Sequence, residues 1–235
     1  MKTLSRLALC ALLATSSTAA LAGSFQKVDH GIIVSPDKGP AKRVRILAFG
    51  DEAFRVTAIP DENFETVSDG VMVTAKPDGN PVVSEDRGTV TLKLPSATAR
   101  VNLTSGQVSF LDGSGKAILN ESSRAAFEPK TVEGQKFLAV RQQFNRGTDE
   151  GFYGLGQHQN GQMNYRGEDV ELAQHNMDIA VPFVVSTRNY GLLWNNNSIT
   201  RFGNPKSYAL AGSEADGLKI VGTDGKPGWT AQQYL

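Results

Sequence analysis

The sequence predicts an all-β fold, a sandwich of antiparallel strands, on three observations. Apolar and polar residues alternate with a period of two, as in Phe54-Arg55-Val56-Thr57-Ala58, Thr89-Val90-Thr91-Leu92-Lys93-Leu94 and Gly106-Gln107-Val108-Ser109-Phe110, which gives each strand one apolar face. Turn chemistry separates these runs: Asp69-Gly70, Asp78-Gly79-Asn80-Pro81, Ser105-Gly106, Asp112-Gly113-Ser114-Gly115 and Arg188-Asn189-Tyr190-Gly191. No long amphipathic helix intervenes, which argues against a parallel α/β sheet.

Taken in chain order, residues 1–22 read as a secretory signal peptide. Lys2 and Arg6 form a basic start, Leu7 to Ala14 an apolar run, and Ala20-Leu21-Ala22 a small-residue cleavage site. The run is too short for a membrane span, which needs about 20 residues, and export to the periplasm or the extracellular space is the expected localisation. The single cysteine, Cys10, lies inside this segment; a lipobox reading of Leu7-Ala8-Leu9-Cys10 would leave an unusually short signal. Cleavage after Ala22 leaves a mature chain with no disulfide and no thiolate ligand or nucleophile. A core of domain size must then supply the stability.

The main domain is expected over residues 23–222. Its strands are expected at Gly31 to Val34, Arg43 to Phe49, Phe54 to Ala58, Val71 to Ala75, Thr89 to Leu94, Arg100 to Thr104 and Gly106 to Phe110. Further strands are expected at Lys116 to Leu119, Gln135 to Phe144, Ile179 to Ser186, Tyr190 to Asn195 and Leu218 to Val221. The Ser122 to Ala126 stretch could form one helical turn. Residues 223–235 read as a linker or the start of a following domain, because Trp229, Tyr234 and Leu235 would be bare apolar groups at a terminus.

Formal charge is balanced, 24 Lys and Arg against 24 Asp and Glu, so nothing points to nucleic acid as a partner. The loop from Gln157 to Asn176 is rich in amides, carboxylates, Arg166 and Tyr165, the groups that hydroxyls and the C–H face of a sugar require. An ordinary solvated excursion would also be polar, but a segment of this length with no obvious strand of its own is more often functional. Asp169 and Glu171 on one strand face would sit roughly 6.5–7 Å apart at Cα, against the 5–5.5 Å between carboxyls of a retaining glycosidase. Their polar neighbours offer no apolar wall to raise one pKa, so they do not read as a catalytic pair. His158 and His175 have no histidine at i±2 or i±4, so no metal site and no cofactor are expected. His30 reads as a strand-edge residue. No nucleophile elbow, P-loop or dinucleotide fingerprint is present; the glycines of Gly154-Leu155-Gly156 permit a sharp bend or a close backbone approach.

The order Phe152-Tyr153-Gly154-Leu155-Gly156, then Asn164-Tyr165-Arg166-Gly167, then Tyr190-Gly191-Leu192-Leu193-Trp194-Asn195 resembles the N-terminal β-sandwich of glycoside hydrolase family 31. Gln157-His158-Gln159-Asn160-Gly161 tilts the likeness toward its α-xylosidase branch. The resemblance implies a galactose-mutarotase-like sandwich packed on a (β/α)₈ barrel in a retaining α-glycosidase. The catalytic aspartates of that family lie in the barrel, so no catalytic residue is expected here and the chain alone is expected to be inactive. The barrel and an α-linked carbohydrate are the partners implied. In the family, a loop after the Tyr-Gly-Leu-Gly element reaches over the barrel mouth; matching it here puts Asn176 where aspartate often stands, with Gln174 and His175 beside it, as substrate-binding rim residues. A free-standing carbohydrate-binding module would instead need exposed coplanar aromatics, and a purely structural module would leave a broad apolar face bare.

Overall fold

The computed structural model describes residues 23–64, 76–122, 126–132, 134–174, 176–196 and 198–203, with two short strands at Ser213–Glu214 and Gly217–Leu218. The signal segment, the Asp69-Gly70 turn, the strand expected at Val71 to Ala75, His175 and residues 219–235 lie outside them. Every regular element among the described residues is a strand, so the all-β expectation holds.

Strands β1 (Ser24–Val28), β2 (Gly31–Ser35), β3 (Arg43–Phe49) and β4 (Ala53–Ile59) form a four-stranded antiparallel meander. Strands β5 (Val82–Asp86), β6 (Thr89–Lys93), β7 (Ala97–Asn102), β8 (Val108–Asp112) and β9 (Ala117–Glu121) form a second meander. Beyond the hairpin of β10 (Ala126–Val132) and β11 (Gln135–Arg141), β12 (Phe144–Asn145) pairs with β9 and closes that sheet at six strands. The two sheets face each other. Alternate residues Ile32, Val34, Val44 and Ile46 of the first pack with Val90, Leu92, Ala99, Val101 and Val108 of the second in one buried cluster. This is sandwich packing, driven by removing one apolar face of each sheet from water.

The turns do what their residues allow. Asp112 Oδ1 accepts from the N–H groups of Ser114 and Lys116, and Asp78 Oδ1 accepts from Gly50 N–H at 2.7 Å. His30 is not a plain strand-edge residue. It occupies the two-residue turn between β1 and β2 at φ 59°, with Nδ1 2.9 Å from the Gly79 carbonyl.

A second, smaller unit follows. Strands β13 (Phe152–Gln157), β15 (Ile179–Ser186) and β16 (Tyr190–Leu193) form a three-stranded sheet in the order β13-β15-β16, and β14 (Asp169–Leu172) pairs with β17 (Thr200–Gly203). Between these two sheets Leu155, Tyr165, Val170, Leu172 and Val184 make a separate buried cluster. The long polar loop therefore contains a strand, contrary to the expectation of a segment without one: β14 alternates, with Val170 and Leu172 buried and Asp169 and Glu171 half-buried on the other face.

Candidate functional site

The Gly154-Leu155-Gly156 turn sets the geometry of the region. All three residues have positive φ, at 115°, 64° and 99°. Gly154 pairs with Val184 and Gly156 with Ala180, so the single residue Leu155 faces Val181, Pro182 and Phe183. This bulge turns the Leu155 side chain into the second core, where it is 2% exposed. Left-handed geometry costs a leucine about 1–2 kcal/mol, which burial of its side chain offsets at roughly 1.5–3 kcal/mol. Gly156 is required by space as well as by φ: a Cβ there would stand 1.8 Å from the Ile179 carbonyl oxygen. The close backbone approach read from the sequence is present.

Past this turn the loop is tied down in three places. His158 Nε2 lies 2.9 Å from the Leu155 carbonyl, and its ring meets that of Tyr165 edge-on at 6.0 Å. Tyr165 is buried, and its N–H donates to the Phe152 carbonyl at 2.9 Å. Asn164 Oδ1 accepts from both Phe152 N–H and Arg166 N–H at 3.1 Å. Much of the amide content thus serves the loop's own backbone. Residues 159–163 stay exposed, Met163 at 80%.

The three residues expected at a rim divide. Gln174 is exposed, yet its side chain is engaged: Nε2 donates to the Asp178 carbonyl at 2.7 Å and Oε1 accepts from Ala180 N–H at 3.4 Å. The amide bridges the turn that leads into β15. Asn176 lies at the apex of that turn and is exposed, as is Met177 beside it. His175, between them, is outside the described residues.

Of the two acidic residues of β14, Asp169 is tied into the fold. Asp169 and Glu171 share the half-buried face of β14, and Arg201 across the ladder clamps Asp169, with Nε donating to Oδ1 at 2.9 Å and Nη2 paired to Oδ2. A carboxylate whose two oxygens are held by a guanidinium fork is an anchor. Among the described residues no group of three or more His, Cys, Asp or Glu is placed to hold a metal ion, and no helix is long and apolar enough to cross a membrane.

Sequence reasoning missed one network entirely. Glu150 is 2% exposed. Its Oε1 accepts from Ser186 Oγ at 2.5 Å and Tyr190 OH at 2.6 Å, its Oε2 from Gly147 N–H at 2.7 Å, and Arg188 Nη1 stands 3.8 Å away. Burial works against its charge, but these bonds and the guanidinium outweigh burial and hold the carboxyl below its usual range. The same bond drives the Tyr190 hydroxyl upward, after burial as the main cause. With every oxygen engaged, the group ties the β15–β16 hairpin to the entry of β13. Its side-chain partners Ser186 and Tyr190 lie 36 and 40 residues away, so no local pattern announces the network. Glu121, at the end of β9, is pushed up to about 7 by burial, which the bond from Val108 N–H only partly opposes.

Residues 43–202 match the family model of the glycosyl hydrolase 31 N-terminal galactose mutarotase-like domain. The chain belongs to this family. It is similar to the crystal structure of a family 31 α-xylosidase from Xanthomonas citri, at 44% identity and a TM-score of 0.73, over 77% of this chain and 20% of that one. A family 31 α-xylosidase from a soil metagenome, complexed with xylose, matches at 28% identity and a TM-score of 0.64, over 77% of this chain and 29% of that one. An α-xylosidase of Saccharolobus solfataricus is 31% identical over 140 residues, 54% of this chain and 19% of that protein. The chain thus spans about a fifth to under a third of these relatives, and corresponds to the N-terminal region of α-xylosidase-like family 31 enzymes.

Proposed function

We propose that this chain is the N-terminal domain of an exported retaining α-glycosidase that acts on α-xylosides or α-glucosides of plant oligosaccharides. In this reading residues 1–22 are a removed signal, 23–222 the sandwich domain and 223–235 the passage toward a catalytic barrel. The domain supports that barrel and contributes the turn around Asn176 to the rim of its active site; alone it is inactive. The 44% identity to the Xanthomonas citri α-xylosidase is the observation that carries the reading. The turn's geometry supports the rim assignment: Gln174 spends its amide bracing the backbone, which leaves exposed Asn176 as the side chain free to meet a sugar. Gln174 is then a positioning residue in place of the ligand expected from the sequence.

The reading as a free-standing carbohydrate-binding module draws less support. Among the described residues Trp194 is half-buried, the exposed ring of Phe137 lies apart on the β10–β11 hairpin, and those of Tyr153 and Phe183 stand among valine, leucine and isoleucine, which do not stack on sugars as aromatic faces do.

The test is hydrolysis of an aryl α-xyloside. The enzyme expressed from the complete reading frame releases the aglycone, the 235-residue chain does not, and Asn176→Ala in the complete enzyme raises KM or lowers kcat. Metal-independent turnover by the short chain would reverse the assignment, and wild-type kinetics for Asn176→Ala would remove the turn from the rim.

A further inference from the structure

Asn160-Gly161 is the one place in the sequence where glycine follows asparagine. The pair lies in the polar loop beyond the Leu155 bulge, and both residues are exposed. The covalent chain holds the backbone nitrogen after an asparagine close to the side-chain carbonyl carbon Cγ, and such enforced proximity favours attack. Two things ordinarily check it: a side chain that crowds the nitrogen, and a hydrogen bond that engages its proton.

Asn160 lacks both checks. Gly161 has no side chain, its φ is 69°, and a Cβ built on it would meet nothing within 4 Å. Among the described residues no hydrogen bond holds the Gly161 N–H. The Asn160 amide is also turned back on its own backbone, where Oδ1 accepts from the Gln162 N–H at 3.1 Å. That oxygen gathers negative charge when a nucleophile adds to Cγ, so the turn brings its own donor to the developing oxyanion.

Elsewhere the fold guards against the same chemistry. After Asn102 the nitrogen belongs to Leu103 and donates to the Gly88 carbonyl at 2.8 Å. After Asn164 it belongs to buried Tyr165 and donates to the Phe152 carbonyl at 2.9 Å. At Asp78-Gly79 the Gly79 N–H donates to the Ala48 carbonyl at 3.2 Å. At Asp112-Gly113 the carboxylate is a poor electrophile, and its Oδ1 is already held by Ser114 N–H, Ser114 Oγ and Lys116 N–H.

We propose that Asn160 is a self-modification site, at which the Gly161 nitrogen closes a succinimide that hydrolyses to aspartate and isoaspartate. Hydroxide takes the Gly161 N–H proton, the nitrogen bonds to Asn160 Cγ, and the tetrahedral carbon expels the amide nitrogen, which leaves as ammonia after taking a proton from water. Water then adds to either imide carbonyl. Opening at the former side-chain carbonyl restores the backbone and leaves aspartate; opening at the backbone carbonyl leaves isoaspartate, with the chain running through the side chain. No oxidant, reductant or second protein is needed. Residues 151–165 contain no Asp, Glu, Lys or Arg, so the product brings the first charge into this stretch. The isoaspartate route also threads one more carbon into the backbone between two pinned points, His158 on the Leu155 carbonyl and Asn164 on the Phe152 and Arg166 N–H groups. Exposed residues 159–163 must absorb it.

The test is peptide mapping by mass spectrometry of the 235-residue chain held in mildly alkaline buffer at physiological temperature. The peptide that carries Asn160 gains the mass difference between NH₂ and OH, and labelling by an isoaspartyl methyltransferase finds isoaspartate at that position. Isoaspartate is decisive, because direct hydrolysis of the side-chain amide yields aspartate alone. Asn102 and Asn164 stay intact in the same digest while half of Asn160 converts. Gly161→Ala slows the conversion at least about tenfold, the effect of a methyl group crowding the attacking nitrogen. Asn160 intact after the incubation, aspartate without isoaspartate, or conversion of Asn102 or Asn164 ahead of Asn160 would overturn the proposal. So would a wild-type rate in Gly161→Ala.

Discussion

Replacing Glu150 by glutamine removes a charge from the second unit and keeps the side chain's shape. Three donors converge on the carboxylate, from Ser186, Tyr190 and Gly147, with Arg188 beside them. A hydrogen bond to a charged group contributes about 1.5–3 kcal/mol and a neutral one about 0.5–1.5 kcal/mol, so loss of charge over three bonds costs roughly 3 kcal/mol. The amide cannot serve all three donors, since the nitrogen that replaces one oxygen can only donate. For a domain of this size that is a fall in Tm of roughly 6–12 °C. Glu150→Ala, which leaves the donors and Arg188 without an acceptor, costs about 3–5 kcal/mol. The sign with pH follows from the depressed carboxyl: its contribution is complete above the unfolded-state pKa of 4.5 and is lost as pH falls through the lower folded value. The gap between wild type and Glu150→Gln therefore narrows in acid. Urea unfolding at pH 7 and pH 3.5 reads both effects. A glutamine variant within about 0.5 kcal/mol of wild type at pH 7, with an unchanged m-value, would refute the argument that the charge organises this network.

Glu121 behaves in the opposite sense. Its folded pKa of about 7 exceeds the unfolded 4.5, so its contribution is complete below pH 4.5 and is lost as pH rises through 7, by up to about 3 kcal/mol. Glu121→Gln, measured by thermal melts from pH 5 to 8, flattens that decline, and an unchanged slope would rule out Glu121 as its source. Gly156→Ala forces a Cβ against the Ile179 carbonyl at positive φ and is expected to cost more than about 3 kcal/mol; a folded variant with a wild-type melting curve would disprove the close approach. Asp169→Asn breaks the clamp with Arg201 and is expected to lower stability by roughly 1–3 kcal/mol while kcat of the complete enzyme stays within twofold. A kcat collapse with stability intact would return Asp169 to the chemistry.

How far the sequence could be read depended on how local the deciding physics is. Strands β3 and β15 fall on the bounds expected for them because apolar residues recur at every second position of β3 (Val44, Ile46, Ala48) and fill most of β15, between turn residues. The long strand expected from Gln135 to Phe144 is instead β11 and β12, parted at Gln142-Gln143. Strands β14 and β17 were invisible. The alternation Asp169-Val170-Glu171-Leu172 hides in a polar run, and its carboxylate is neutralised by an arginine 32 residues away. The glycine pair around Leu155 announced a close approach, but not that the leucine between them would enter a core. At the candidate rim, composition showed that Gln174 carries an amide suited to a hydroxyl. Only the fold shows that amide facing its own backbone.

Arg188 sits astride a seam. Among the described residues no strand from β1 to β12 is hydrogen-bonded to one from β13 to β17, and the two hydrophobic clusters are separate. The Arg188 guanidinium spans that divide, balanced by Glu150 on one side while Nη2 donates to the Ala117 carbonyl of β9 on the other. The smaller unit can therefore loosen as a block below the free energy of whole-domain unfolding. A pull on β15 loads this guanidinium directly, because Arg188 stands two residues beyond the end of that strand.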